Sequence, residues 1–236
     1  LRELPFRQIH IAVDTNSKKS GDCLRAAGID FVDEIVVHDD LAQPYDLTWV
    51  HRDRLKAVLN DFDYFMYAED DLLITPASIA LWFERLSSLK AQGYLPAFLR
   101  VEENFDGLLV SSDFQKPAGQ QNIVSIAEKP YLLTPYPYQA FWLYDKDTMR
   151  EFVENPLYGT GYPKYDVRAR MAIGFAFKQD GLGWRSRHLL PLTEGGLIDP
   201  RCYVFHMPSN YGRSIIPDGN GLGTIPVRHL IEGFPA

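Results

Sequence analysis

The stretch Tyr64–Thr75, YFMYAEDDLLIT, sets three adjacent carboxylates, Glu69, Asp70 and Asp71, between two apolar runs. DYFMYA reads as a buried strand, short and rich in aromatics. Acids packed this closely repel one another and are seldom buried without a partner. The triplet is therefore either a solvated turn or a holder of positive charge, and its surroundings favour the second. TPASIALWFERLSSLKAQG is the clearest helix pattern in the chain. Thr75 is its N-cap, Pro76 fits its first turn, and Ile79, Trp82, Phe83, Leu86 and Leu89 form its apolar stripe. Ligands of open α/β sheets bind beyond the carboxyl ends of strands, which is where these acids fall.

Toward the N-terminus, FRQIHIAVDTN reads as a strand ending in Asp14, Thr15 and Asn16, and SGDCLRAAG as a short helix stopped at Gly28. IDFVDEIVVHDD gives a second strand, Phe31 to Val37, followed by Asp39 and Asp40. YDLTWVHRDRLKAVLNDF places Leu47, Val50, Leu55, Val58, Leu59 and Phe62 at helical spacing, with Asp46 as N-cap. Alternating strands and helices over residues 1–92 predict a doubly wound, parallel sheet. Shorter strands follow in AFLRVEEN, GLLVSSD, NIVSIAE, KPYLLTPYP, WRSRHLLPL and RCYVFHMPSN. YQAFWLYDKDTMREFVENP is a strand entering a helix, and KYDVRARMAIGFAFKQDG a helix through Val167, Met171 and Phe175. The tail YGRSIIPDGNGLGTIP reads as a loop. With no repeat and no linker, the expectation is one α/β domain, a mainly parallel sheet flanked by helices.

Composition bounds the function. The chain has 236 residues, 46% hydrophobic and 13% aromatic, ample for a sizeable core. A formal charge of −7 and no Lys/Arg block argue against nucleic acid as a partner. Cys23 and Cys202 make neither a metal-ligand spacing nor a disulfide framework, which suits a reducing compartment such as the cytoplasm. No apolar stretch approaches the roughly 18 residues of a membrane span. The opening LRELPFRQ lacks an initiator Met and a signal-like apolar core, as expected of a domain excised from a larger or membrane-associated protein.

Oxygen-only ligand sets favour hard divalent ions, Mn²⁺ or Mg²⁺, held by one or two carboxylates and completed by water and substrate phosphate. FDYFMYAEDDLLITPASIALWFERL, a strand ending in acids before a Thr-Pro-capped amphipathic helix, resembles the DxD region of GT-A fold glycosyltransferases. Its layout is nearest the exostosin-like branch. PYQAFWLYDKDTMREFVENP resembles the acceptor-side strand and helix of that fold, and KYDVRARMAIGFAFKQDG the segment where a carboxylate opens a helix near the transfer site. The similarity covers most of the chain in layout and two segments at motif level. Glu69-Asp70-Asp71 stands in place of Asp-x-Asp, and Tyr165-Asp166 in place of an acidic pair.

The resemblance implies a single GT-A domain, a nucleotide-sugar-binding half over 1–92 and an acceptor half over 93–236. It implies a hexosyltransferase-like enzyme of polysaccharide biosynthesis. A sugar would move from a nucleoside diphosphate donor, UDP-linked, to a hydroxyl of a glycan or smaller acceptor. Asp71 would ligate the metal and bridge to the diphosphate; Glu69 or Asp70 would contact ribose or metal-bound water. His206 would be a C-terminal metal ligand, against the plain alternative of a packed histidine. Asp166 would be the catalytic carboxylate. In an inverting enzyme it takes the acceptor proton; in a retaining one it orients the acceptor or stabilises charge on the sugar. Arg213 would clamp diphosphate oxygens as the tail closes.

Asp14, Thr15 and Asn16 would receive the base or ribose, with Arg52 approaching from the next helix beside His51 and Arg54. Trp142, Tyr144, Tyr136 and Tyr138 are candidates for an acceptor-stacking wall, and Glu102 and Glu103 for acceptor contacts. Two rivals stand beside this reading. A sugar nucleotidyltransferase shares the sheet and acids but needs a Gly-rich basic loop, for which DTNSKKSGD offers only Lys18, Lys19 and Gly21. A non-catalytic glycan-binding module of the same fold predicts glycan binding without metal or donor turnover.

Overall fold

The structure, a computed structural model, describes residues 6–29, 31–114, 116–134, 140–156, 158–159, 177–180, 183–213 and 225–233. The strands are β1 (Ala12–Thr15), β2 (Glu34–Val37), β3 (Tyr64–Ala68), β4 (Leu72–Ile74), β5 (Leu95–Pro96), β6 (Leu99–Glu103), β7 (Leu109–Ser111) and β8 (Ile123–Ile126). They continue with β9 (Lys129–Leu133), β10 (Phe141–Asp145), β11 (Phe177–Asp180), β12 (Gly183–Ser186), β13 (His188–Pro191), β14 (Tyr203–His206) and β15 (Ile225–Pro226). The α-helices are α1 (Lys18–Ala26), α2 (His51–Ala57), α3 (Pro76–Lys90) and α4 (Lys146–Glu154). None of them is long and apolar enough to cross a membrane.

The chain forms two compact units, Arg2–Met66 with Leu143–Gly174, and Tyr67–Trp142 with Phe175–Ala236. The halves expected from the sequence, 1–92 and 93–236, do not coincide with them.

In the unit built on Arg2–Met66, β1 and β2 pair in parallel, Ala12 against Glu34 and Thr15 against Val37. Ser17 caps α1 by accepting a hydrogen bond from the Ser20 N–H. Gly21 is the buried residue of α1, and a Cβ there would stand 2.9 Å from Val37 Cγ2. Glycine lets the helix lie that close to β2. The nucleotidyltransferase segment DTNSKKSGD is therefore strand end, N-cap and first helical turns. The helix expected across Leu47–Phe62 is shorter than its pattern. Pro44–Thr48 forms a 3₁₀ turn, where Asp46 accepts from the Gln43 N–H rather than capping α2. Asp145 caps α4 in the same unit, accepting from the Thr148 N–H.

The other unit carries a five-stranded sheet, β15-β7-β6-β14-β4, and a four-stranded one, β5-β13-β9-β8. Only β6–β14 is parallel in the first and β5–β13 in the second. Together they are mixed sheets, not the mainly parallel one expected. Short connections account for β6–β7 and β8–β9, which are hairpins, while β4–β14, β9–β13 and β7–β15 pair antiparallel across long stretches of chain. Ala127 and Glu128, both at positive φ (48° and 62°), close the β8–β9 hairpin. Asn104 Oδ1 accepts from the Asp106 and Leu108 N–H groups and tightens the β6–β7 turn. Leu81, Leu99, Val101, Phe114, Leu132, Leu190 and Val204 are buried within this unit. Thr75 caps α3 as its sequence predicts, and Ser78 Oγ donates to the Tyr203 carbonyl, pinning the helix start to β14.

Candidate functional site

The apolar run after the acids is a strand of its own. β4 pairs antiparallel with β14, Leu72 opposite His206 and Ile74 opposite Val204. That register sets Asp71, one residue ahead of Leu72, beside His206, and the Met207 N–H donates to the Asp71 carbonyl. Asp71 Oδ2 lies 3.0 Å from His206 Nε2. Two residues that are far apart in the sequence, each a candidate metal ligand, thus meet through strand pairing.

β6 supplies the third member. It runs parallel to β14, and Glu102 Oε1 lies 2.7 Å from His206 Nδ1. Its other oxygen accepts from the Tyr211 N–H at 2.8 Å and the Gly212 N–H at 2.6 Å. A Cβ on Gly212 would be 3.0 Å from the Glu103 carbonyl oxygen and 3.1 Å from Glu102 Cβ, so the approach calls for glycine. The Tyr211 ring stacks on the imidazole, centroids 5.7 Å apart, and the Arg100 guanidinium sits 5.4 Å from the Tyr211 ring. Arg100 pairs with buried Asp113 at 2.9 Å and donates to Ser112 Oγ. Burial pushes the Asp113 carboxyl up, against the pull of Arg100.

One imidazole therefore stands between two carboxylates. Both contacts are hydrogen bonds only if both ring nitrogens carry protons. If Nδ1 alone is protonated and donates to Glu102, Nε2 turns a lone pair toward Asp71 Oδ2, and a cation there relieves the repulsion. The other Asp71 oxygen, Oδ1, is buried without a hydrogen-bond partner among the described residues. The donor set, one carboxylate and one imidazole, suits Mn²⁺ better than Mg²⁺, because the harder ion prefers oxygen ligands alone. Ligand atoms at roughly 2.1 Å on adjacent octahedral corners stand about 3.0 Å apart. The observed spacing fits that as well as it fits a hydrogen bond. Among the described residues no group of three or more His, Cys, Asp or Glu side chains is disposed to hold a metal. Asp71 and His206 are the two side chains brought together here.

Glu69 takes another direction. Its N–H donates to the Ala140 carbonyl, and its side chain accepts from the Tyr67 hydroxyl at 3.4 Å. Asp70 is exposed in the turn between β3 and β4. Arg213 is half-exposed and pairs with Glu103 at 3.5 Å. Asp166, Tyr136 and Tyr138 lie outside the described residues. Trp142 and Tyr144 are core, not an acceptor wall: Trp142 stacks on Tyr67 and Tyr144 meets the edge of Phe152. Glu102 is not the acceptor contact expected of a polar turn, because it is buried within β6. The sequence signal was present: Arg100 and Glu102 alternate with Leu99 and Val101, charged residues on one face of an otherwise apolar strand.

In the unit built on Arg2–Met66, Asp14 lies at the end of β1. Its Oδ1 is 2.9 Å from His38 Nε2, and its Oδ2 accepts from Arg54. Thr15 is buried, with its hydroxyl oxygen accepting from the Ser17 N–H, while Asn16 is exposed. Arg52 departs from the expectation of a nucleotide contact. It is buried, donates to the Tyr158 carbonyl, and lies 3.7 Å over the Trp49 ring. His51 beside it is held neutral, its pKa lowered to about 3, chiefly by burial and then by Arg52.

Neither protein-family models, nor curated proteins, nor solved structures give any match to the chain.

Proposed function

We propose that the chain is a metal-dependent GT-A fold glycosyltransferase, moving a sugar from a UDP-linked donor to a hydroxyl on a glycan or small acceptor. The observation that carries the reading is the pairing of Asp71 with His206 across β4 and β14, with Asp71 Oδ1 buried and unpartnered. In this reading Asp71 and His206 hold Mn²⁺ or Mg²⁺. The ion supplies neutralisation of the charge that develops on the departing diphosphate. Asp71 presents its carboxylate to the ion, and His206 presents Nε2. Arg213, at the start of the tail, reaches diphosphate oxygens by leaving Glu103. Asp166 serves the acceptor hydroxyl as base or orienting group.

A second reading has an observation of its own. An imidazole bridging two carboxylates is complete without a ligand, and the described residues offer no three-donor metal cage. That favours a non-catalytic glycan-binding module of the same fold. Thermal shift against a panel of nucleotide-sugars, with and without Mn²⁺, separates the two. The enzyme reading expects stabilisation by one UDP-sugar, only with metal, amounting to about 2.7 kcal/mol at a hundredfold excess over Kd. Glycan-dependent stabilisation with no response to donor or Mn²⁺ would replace it with the second.

A further inference from the structure

We infer that a pocket beside β7 and β15 binds a single hydrocarbon chain ending in a carboxylate, with Arg228 meeting the charge. The inference is independent of the glycosyltransferase reading. The pocket has a volume of about 340 Å³, toward the small end of the roughly 300–1,000 Å³ usual for ligand sites. Leu108 and Leu109 line it at the start of β7, Pro226 and Val227 at β15, and Leu197 and Ile198 in the loop after β13. All belong to one compact unit, and Leu109 and Val227 rest on its buried core, so the walls are fixed by packing. The two hydroxyls of the lining are already engaged. Thr193 Oγ1 donates to the Leu197 carbonyl and accepts from the Leu197 N–H, and the Tyr203 hydroxyl donates to the Ile198 carbonyl. What faces the void is therefore chiefly hydrocarbon.

Arg228 is the exception. It is part of the lining, exposed, and its side chain has no ion pair or hydrogen bond among the described residues. One guanidinium at the mouth of an apolar pocket matches one negative charge at the end of an apolar chain, and its fork takes both oxygens of a carboxylate. A phosphate monoester carries nearly two charges at neutral pH and would leave one unmet. The lining is a handful of side chains, against roughly 20–30 residues a side for a stable protein interface, which favours a small molecule over a partner chain. Tyr203 and His206 stand three apart on β14, so their side chains leave opposite faces of the sheet, and the pocket is separate from the Asp71–His206 pair.

The test is calorimetric titration of the full chain with decanoate, decanol and decyltrimethylammonium, and with carboxylates from hexanoate to dodecanoate. One decanoate should bind per chain, more tightly than decanol and far more tightly than the cation. Affinity should rise roughly fourfold per methylene, then level off once the pocket is full. Arg228→Gln should weaken decanoate roughly fivefold and leave decanol unchanged. Leu197→Asp, an exposed position on the rim, should weaken both. Absence of saturable decanoate binding, equal binding of the anionic and cationic amphiphiles, or unchanged decanoate affinity in Arg228→Gln overturns the inference. So does a chain-length series that never levels off, the mark of adsorption rather than a pocket. A dimer in sedimentation that Leu197→Asp breaks would put a second copy on this face and overturn it too. Should either variant fail to fold, the head-group and chain-length series on wild type decide.

Discussion

Asp14, within β1, and Asp71, just ahead of β4, each have a histidine beside them, but their charges are met differently. Asp14, 13% exposed, is saturated from within: His38 engages one oxygen and Arg54 the other. Asp71, 34% exposed, has His206 on one oxygen and nothing on the other, and no Arg or Lys pairs with it among the described residues. The imidazole it meets is already claimed by Glu102. An acid neutralised by its own guanidinium is a structural element. An acid that shares one imidazole with a second carboxylate is short of positive charge, and that shortage is what a divalent cation supplies.

The contrast can be broken from either side. The largest effect is expected at Asp71. Asp71→Asn should lower metal-dependent transfer roughly 10²- to 10³-fold in a donor-turnover assay while the unfolding midpoint stays near wild type. Arg52→Ala should do the reverse. It removes a guanidinium packed on Trp49 and bonded to the Tyr158 carbonyl, costing about 2–3 kcal/mol in urea denaturation with Mn²⁺ affinity intact. Asp14→Ala leaves Arg54 the more distant Glu34 carboxylate, 3.9 Å away, and should cost about 1–2 kcal/mol, less than a fully buried pair because the groups are partly solvated. An Asp14→Ala protein that keeps its stability and loses metal binding would invert the comparison.

The smallest effect is a pH dependence. His51 and His188 both have pKa values lowered to about 3, by burial first and then by Arg52 and Arg187 respectively. Unfolded, each titrates near about 6.5, so the unfolded chain binds more protons between these values. Their contribution to stability is complete above the unfolded value and drains as pH falls toward the folded one. The unfolding free energy from denaturant titrations should fall by about 1 kcal/mol per histidine between about pH 7 and about pH 5.5. Replacing His51 with Gln should make that slope shallower.

Much of this was legible in the residues. Thr75 caps α3 as its place before Pro76 announces, while α1 begins behind Ser17, ahead of the SGDCLRAAG run that reads as helical. Asp71 and His206 stand as candidates on the resemblance to GT-A fold enzymes. Other features rest on pairings that no local pattern carries. β4 is Leu72–Ile74, too short for a period-two pattern to separate it from the turn before and the helix after. Its pairing with β14, which brings the two candidates together, is a long-range event. Sheet direction departs from the sequence expectation for a related reason. Strands and helices alternate up to β3, where β4 intervenes before α3. β6–β7 and β8–β9 are hairpins, the second closed by Ala127-Glu128 with no glycine to mark it. The antiparallel partners of β4, β7 and β9 lie far along the chain. Glu102 reads in the sequence as an acceptor contact at the polar end of AFLRVEEN, and nothing local announces its buried partners at 206, 211 and 212.

The account turns on whether the charge deficit at Asp71 is filled by a metal. Mn²⁺ titration followed by electron paramagnetic resonance, with and without UDP, addresses that directly. The account predicts a bound ion in wild type, tighter binding when UDP is present, and loss of both in Asp71→Ala. A protein that leaves all Mn²⁺ free, or an Asp71→Ala variant that binds it as wild type does, would contradict it.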